Sequence, residues 1–325
     1  LGIHRRFPGS GYIDFYQKNL VILSSRGILA YGKLNNLDDK KFFKQIKNNI
    51  DDFLDLDKFL KERRLSIKDL TIIGDKIYVS YSEEIKKNCW ATSIIFGKLN
   101  FDIIKFEKLF SPKECVNSVN EDNEFNPVQA GGRIIGLNGN HILFSIGDYR
   151  LRHLSQNKES IFGKIIKINI DNKKYEIFSM GHRNPQGLLY DKENNFVLST
   201  EHGPMGGDEI NIIDIKRTNQ EGVLNFGWAI SSYGEHYGGK NPKKNKIKYE
   251  KYPLYKSHSD YGFIEPIKSF TPSIGIAEIV KIDENKYVTS SMRDRSIYFF
   301  ELDKQEKIIN FDRLEVLERV RDLKF

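Results

Sequence analysis

Between Gly181 and Asn211 the chain reads G-H-R-N-P-Q-G-L-L-Y-D, a short spacer, then S-T-E-H-G-P-M-G-G-D-E-I-N. Gly203 has no side chain, and Pro204 has a fixed φ and no N–H. Such a pair can turn backbone carbonyls toward one point, as a hard cation such as Ca²⁺ requires. Asp208 and Glu209 add negative charge close by, and Arg183 offers a planar fork for carboxylates. The plainer reading of G-G-D-E alone is a tight turn with a solvated acidic pair. The elements that must hold these ends are short. Leu188 to Asp191 and Phe196 to Thr200 are apolar runs that read as strands, with a turn from Asp191 to Asn195.

The complete string resembles the signature of the glucose/sorbosone dehydrogenase family, quinoproteins that oxidise aldose sugars with pyrroloquinoline quinone (PQQ). Asn225-Phe226-Gly227-Trp228 is similar to that family's N-Y-G-W. The likeness is clear from about Gly131 onward and loose before it. It implies a six-bladed β-propeller of four-stranded antiparallel blades, forming one domain over residues 1–325. It maps metal binding onto the carbonyls of Gly203 and Pro204, and cofactor contacts onto Arg183, Asn184, His202, Asp208, Arg319 and Arg321. Arg293 stands where the family has a lysine. The i, i+2 spacing of Arg319 and Arg321 would put both on one face of a strand. Asp148 matches a family G-D and is a carboxylate near the same rim. Trp228 and Tyr233 would wall a sugar pocket or serve as packing residues. His182 would be a hydrogen-bonded histidine holding its turn.

One departure bears on catalysis. The family's general base is a histidine in H-x-G-G-R-L, and this chain has Gln129-Ala130-Gly131-Gly132-Arg133-Ile134. A sugar hydroxyl donates hydride poorly until its proton is drawn off, and a glutamine amide accepts no proton at a useful pH. Three functions stay open on these residues. The first is a PQQ- and Ca²⁺-dependent oxidation of an aldose at C1, with Arg183 steadying developing charge and an external electron acceptor. The second is a non-catalytic propeller that binds sugar, PQQ or a protein partner. The third is a calcium-dependent sugar lactone hydrolase.

Composition excludes little more. The 325 residues carry a net charge of +7, spread over Lys-, Ile- and Asn-rich sequence. The basic run from Lys240 to Lys251 reads as a solvated loop, not a nucleic-acid module. No apolar run of 18 residues exists, so no membrane span is expected. The chain starts at Leu1, and an export or anchor segment lying outside it would fit a periplasmic or extracellular protein. Cys89 and Cys115 flank a hairpin with arms Thr92 to Leu99 and Phe101 to Phe110. Their pairing and two separate thiols are equally compatible with that placement.

Along the chain, roughly twenty short β-rich runs alternate with turns, which means a sandwich, barrel or propeller. Residues 38–64 break the pattern. Phe42, Phe43, Ile46, Ile50, Phe53, Leu54 and Leu60 recur at helical spacing and predict an amphipathic helical insertion. A last strand is expected over Leu314 to Val320. The chain stops soon after Arg319-Val320-Arg321-Asp322, before the strands that follow this motif in the family, so either the last blade is incomplete or the ring closes differently, through the N-terminal strands.

Overall fold

The computed structural model describes residues 11–36, 43–55, 57, 65–239 and 242–325. The chain divides into two compact units, residues 1–134 and 135–323. The first holds a four-stranded sheet, β1 (Gly11–Tyr16), β2 (Asn19–Ser24), β3 (Leu29–Lys33) and β4 (Lys44–Gln45). A minor pair joins β5 (Lys47–Asn48) to β9 (Ile103–Ile104). Its second large sheet runs β10 (Glu107–Phe110), β8 (Cys89–Lys98), β7 (Lys76–Lys86), β6 (Ile67–Ile73), with β11 (Val116–Asn117) also on β8. Cys89 and Cys115 are joined as a disulfide where β11 meets β8.

The remaining sheets follow the same meander. One is β12 (Gly131–Gly136), β13 (His141–Ile146), β14 (Lys164–Asn169), β15 (Tyr175–Met180), with β19 (Leu224–Asn225) added in parallel. The next is β16 (Pro185–Asp191), β17 (Phe196–Glu201), β18 (Asp208–Asp214) and β20 (Lys268–Phe270). The last is β21 (Ile276–Asp283), β22 (Lys286–Ser291), β23 (Ser296–Leu302) and β24 (Ile308–Glu315). Each is an up-and-down antiparallel sheet of blade size, the sequential hairpin order that short loops favour. Two α-helices interrupt the second unit, α1 (Ile215–Glu221) and α2 (Pro242–Lys251).

The strands form where the side-chain pattern demands it. β2 alternates buried and half-buried residues, as a strand with one covered face does. β17 and β18 are buried along almost their whole length, as inner strands covered on both faces are. Their turn is chemically set. The Asp191 carboxylate accepts the N–H groups of Glu193 and Asn194, and Asn195 takes the left-handed φ of +58°. Leu198, Ile210, Ile276 and Tyr287 then share one core between adjacent sheets.

The structure departs from several expectations. Five sheets of blade size are present among the described residues, not six. Within the expected helical insertion residues 43–55 are not α-helical and Asp57 is helical, while residues 37–42, 56 and 58–64, Phe42 and Leu60 among them, lie outside the described residues. Ile46, Ile50 and Leu54 are buried, which gave the helical spacing, but Ile46 lies between β4 and β5, Ile50 opens a single 3₁₀ turn, Ile50–Asp52, and Leu54 lies on a bend after it. Asn48 and Asn49 cause this by taking backbone N–H groups with their side chains, at Ile50 and Phe106. The last sheet among the described residues has four strands, β21 to β24. β24 ends at Glu315, where Val316 and Leu317 both donate to the Arg295 carbonyl. Arg319 and Arg321 therefore sit on irregular chain, and the one-face strand argument does not hold. The basic run forms α2 instead of a solvated loop.

Candidate functional site

The loop between β17 and β18 is built around Gly203. A Cβ there would meet the Gly207 carbonyl oxygen at 2.0 Å, so only glycine fits. Gly206 and Gly207 follow with φ of +87° and +69°. The Asp208 carboxylate closes the loop. It accepts the N–H of Gly203 at 3.0 Å, and those of Gly275 and Ile276 at 2.7 and 3.2 Å. The carbonyls of His202 and Gly203 then point at one place. The Nη1 of Arg183 occupies it, donating to the two oxygens at 2.7 and 2.5 Å. The Pro204 carbonyl faces the Ser273 hydroxyl at 3.5 Å.

Arg183 is held along its backbone. Its N–H donates to Glu201 Oε2 at 2.8 Å, and its carbonyl accepts from Asp148 N at 2.9 Å. Its guanidinium lies 5.3 Å from the Trp228 ring and 5.9 Å from the Tyr237 ring, a cation–π setting on both sides. Trp228 is buried, and its Nε1 donates to Asp148 Oδ2 at 2.8 Å. Asp148 has no exposed surface, and burial pushes its carboxyl upward despite the opposing influence of Arg183 and of the Arg150 N–H. Tyr149 and Arg150 both take positive φ, 51° and 72°, directly after this aspartate. Strain of that kind collects at functional loops.

The remaining cations reach the same end of the sheets. Arg321 donates to Gln186 Oε1 at 2.8 Å, Gln186 donates to Asn184 Oδ1 at 3.0 Å, and Asn184 lies 3.5 Å from His202 Nδ1. His202 is pushed toward its neutral form, chiefly by burial, and its Nε2 is buried without a hydrogen-bond partner. Arg319 donates to the Met292 carbonyl at 3.3 Å, and the next residue's N–H, at Arg293, bonds to Ile274, beside Ser273. A short run of contacts thus links Pro204 to Arg293 and Arg319. Arg183, Asn184, His202, Gly203, Asp148 and Trp228 are brought together directly.

Beneath them lies a buried acid–imidazole network. Glu201 accepts from Asn211 at 3.0 Å and faces His182 Nδ1 at 3.3 Å, while His182 Nε2 meets the Ser179 hydroxyl at 2.8 Å. His182 is therefore the turn-holding histidine. Glu209 faces His258 Nε2 at 3.4 Å, and His258 Nδ1 lies 2.9 Å from the Phe226 carbonyl. Burial opposes charge on His258, but the Glu209 carboxylate outweighs it and the net direction is up. A cavity of about 10 Å³ between Glu201, Glu209, His258 and Ser231 has room for one water.

Tyr233 turns away from this centre. Its hydroxyl is bonded to Glu265, and its ring stacks on His258. Tyr237, which sequence reading missed, is the aromatic beside Arg183; the repeated tyrosine in Tyr233-Gly234-Glu235-His236-Tyr237 was its signal. Gln186 was missed too, although it belongs to the same string. Gln129 belongs to the first unit, where it is buried and closes a turn on the Asn126 carbonyl. Nearby, Arg133 pairs with fully buried Asp69 at 2.7 Å.

The profile of the Glucose / Sorbosone dehydrogenase family matches residues 73–325. An uncharacterized protein of Synechocystis is 30% identical over 210 residues, 58% of this chain and 46% of that protein. An aldose sugar dehydrogenase of Escherichia coli is 28% identical over 177 residues, 50% of this chain and 44% of the relative. The chain thus matches less than half the length of these two relatives. Among solved structures, a glucose dehydrogenase superposes with a TM-score of 0.74 at 19% identity, covering 96% of this chain and 89% of its own. The apo-form of the soluble aldose sugar dehydrogenase of Escherichia coli gives 0.73 at 19%, covering 98% and 90%. The PQQ-bound aldose sugar dehydrogenase of Streptomyces coelicolor gives 0.65 at 15%, covering 96% and 83%. At those identities the likeness establishes an all-β fold of the propeller class, and the profile match over most of the sequence establishes descent: the chain belongs to the glucose/sorbosone dehydrogenase family.

Proposed function

We propose that this protein oxidises an aldose sugar at C1 to the lactone, using PQQ and Ca²⁺, within a single domain. The observation that carries the reading is the pair of carbonyls on His202 and Gly203 converging on one cationic nitrogen. A point that accepts a guanidinium nitrogen from two carbonyl oxygens suits a hard cation that takes oxygen ligands. Of that pair the Gly203 carbonyl, with the neighbouring carbonyl of Pro204, would supply metal ligands. Arg183, Arg293, Arg319 and Arg321 supply cations for a planar tricarboxylate, and His202 offers an unpartnered ring nitrogen beside them. When bound, PQQ would supply the two-electron acceptor and Ca²⁺ would polarise it. The chain's own contribution is positional. Arg183 would steady negative charge developing on the sugar oxygen, and Trp228 with Asp148 would fix that guanidinium. Gln129 at the family's base position can hold a hydroxyl but cannot take its proton.

That glutamine favours a second reading, a propeller that retains the binding groups without turnover. The disulfide supports a periplasmic or extracellular setting, because such bonds persist in oxidising compartments. No helix among the described residues is long and apolar enough to cross a membrane. The deciding experiment is calorimetric titration with PQQ, with and without Ca²⁺, followed by dye reduction across a panel of aldoses. Calcium-dependent uptake with dye reduction is expected. Uptake without reduction by any sugar moves the protein to the binding-only reading, and absence of uptake rejects both uses of PQQ.

A further inference from the structure

We propose that Arg150 is a positioning residue for the reaction: it fixes the Tyr237 ring, and through that ring the guanidinium of Arg183. This rests on the reading of Arg183 as the group that steadies charge developing on the sugar. Cations and rings alternate in one series of contacts. The Arg150 guanidinium lies 4.9 Å from the Tyr237 ring, and the Arg183 guanidinium lies 5.9 Å from the same ring and 5.3 Å from Trp228. Arg183 Nη2 also donates to the Tyr237 hydroxyl at 3.4 Å. Core packing does not hold Tyr237, which is nearly half exposed. Its backbone is tied down instead. Buried Asn245 donates to the Tyr237 carbonyl at 3.3 Å, and Met205 and Glu235 exchange both backbone hydrogen bonds, at 2.8 and 2.9 Å. A pinned backbone leaves the side-chain torsions of the ring free, and a cation set against the ring restrains them.

The backbone shows that the side chain at 150 is kept against a local penalty. Tyr149 and Arg150 stand side by side in the left-handed region, at φ of 51° and 72°, where glycine sits freely and other residues are strained. Both side chains are in use. Tyr149 is fully buried and meets Phe162 edge-on, with ring centroids 5.5 Å apart. Arg150 reaches the Tyr237 ring. The same turn lets the Arg150 N–H donate to Asp148 Oδ1 at 2.8 Å, while Asp148 Oδ2 accepts from Trp228 at 2.8 Å. Residues 148–150 therefore grip both aromatic neighbours of Arg183, Trp228 through a carboxylate and Tyr237 through a guanidinium. Glycine at position 150 would relax the backbone and release the ring, so stability and positioning respond differently to one substitution.

The test compares Arg150→Gly and Arg150→Lys with the unaltered full chain. Arg150→Gly keeps the N–H that Asp148 accepts and relieves the strained φ, so its urea midpoint should equal or exceed that of the unaltered chain. With PQQ and Ca²⁺ added, Arg150→Gly should lower kcat for aldose oxidation about tenfold and leave KM within about twofold. Arg150→Lys keeps a cation in reach of the ring without the planar fork, and its kcat should fall between the two. A second readout needs no turnover: the side-chain Nε–H resonance of Arg183 in arginine-labelled protein, assigned by its loss in Arg183→Lys. Arg150→Gly should move it toward the position of a solvent-exposed arginine, and Arg150→Lys should move it less. An Arg183 resonance that stays in place in Arg150→Gly overturns the proposal. So does a raised KM with unchanged kcat, or a loss of rate that only follows a fall in urea midpoint. A moved resonance in a chain that oxidises no aldose supports the hold of Arg150 on Arg183 and rejects the oxidation reading by itself.

Discussion

Gly203 and Gln129 place opposite demands on chemistry, one through an absent side chain and one through a side chain of the wrong kind. A methyl group at Gly203 would collide with backbone at Gly207, which no rotamer can relieve. Gly203→Ala should therefore cost about 2–3 kcal/mol in urea unfolding and abolish Ca²⁺ uptake by calorimetry. Unchanged uptake would show that the carbonyl loop is not the cation site. At Gln129 the expectation is a gain. Restoring a histidine supplies a group that titrates near neutrality, and general bases typically contribute ~10²–10⁴ in rate. Gln129→His should raise steady-state dye reduction by at least about tenfold if the rest of the site is assembled. No gain, with PQQ still bound, would mean that something other than the missing base limits turnover.

Single strands and turns decide which of these residues can cooperate. The β22–β23 turn is held by Asp294, which accepts from Arg313 Nε at 2.7 Å and Tyr298 at 2.6 Å. The Arg313 bond holds its carboxyl near pKa 2, below the ordinary 3.8, while partial burial opposes this. A lowered carboxylate contributes stability above its ordinary pKa and loses it as pH falls through the folded value. The contribution is therefore present above about pH 4 and vanishes toward about pH 2. Much of the pair is in contact with solvent, which limits its size. Asp294→Asn should destabilise the protein by about 1 kcal/mol at pH 7, and urea titrations of the two proteins should converge near pH 2. Elements also explain where reading the sequence went astray. The i, i+4 spacing of Ile46, Ile50 and Leu54 mimics a helix, but two asparagines spend their side chains on backbone N–H groups and break it. Arg319 and Arg321 read as strand neighbours because nothing in their local sequence reveals that β24 has already ended.

For the whole molecule, the measurable quantity is what ligands do to stability. A cofactor and cation bound only by the folded chain would add about 2.7 kcal/mol at concentrations 100-fold above Kd. For a chain of this size that should raise Tm by roughly 4 °C. Scanning calorimetry with PQQ plus Ca²⁺, against each alone, checks this. An unmoved Tm at saturating concentrations would count against any specific site for the pair. The stabilisation should be larger for the two together than for the sum of each, because the cation and the tricarboxylate neutralise one another.

The candidate site residues were legible in the linear sequence because glycine, proline and arginine act through backbone freedom and charge, which survive without tertiary context. Gly203, Pro204, Arg183 and the Asp191 turn were readable for that reason, and the family signature added the remote arginines. Tertiary structure alone decided who meets whom. It put Asp208 onto three backbone amides, turned Tyr233 toward Glu265, set Tyr237 beside Arg183, and joined Cys89 to Cys115. It also fixed the number of sheets. Those outcomes depend on contacts between residues tens of positions apart, and such contacts are selected by burial and hydrogen-bond satisfaction across the folded chain, not by local pattern.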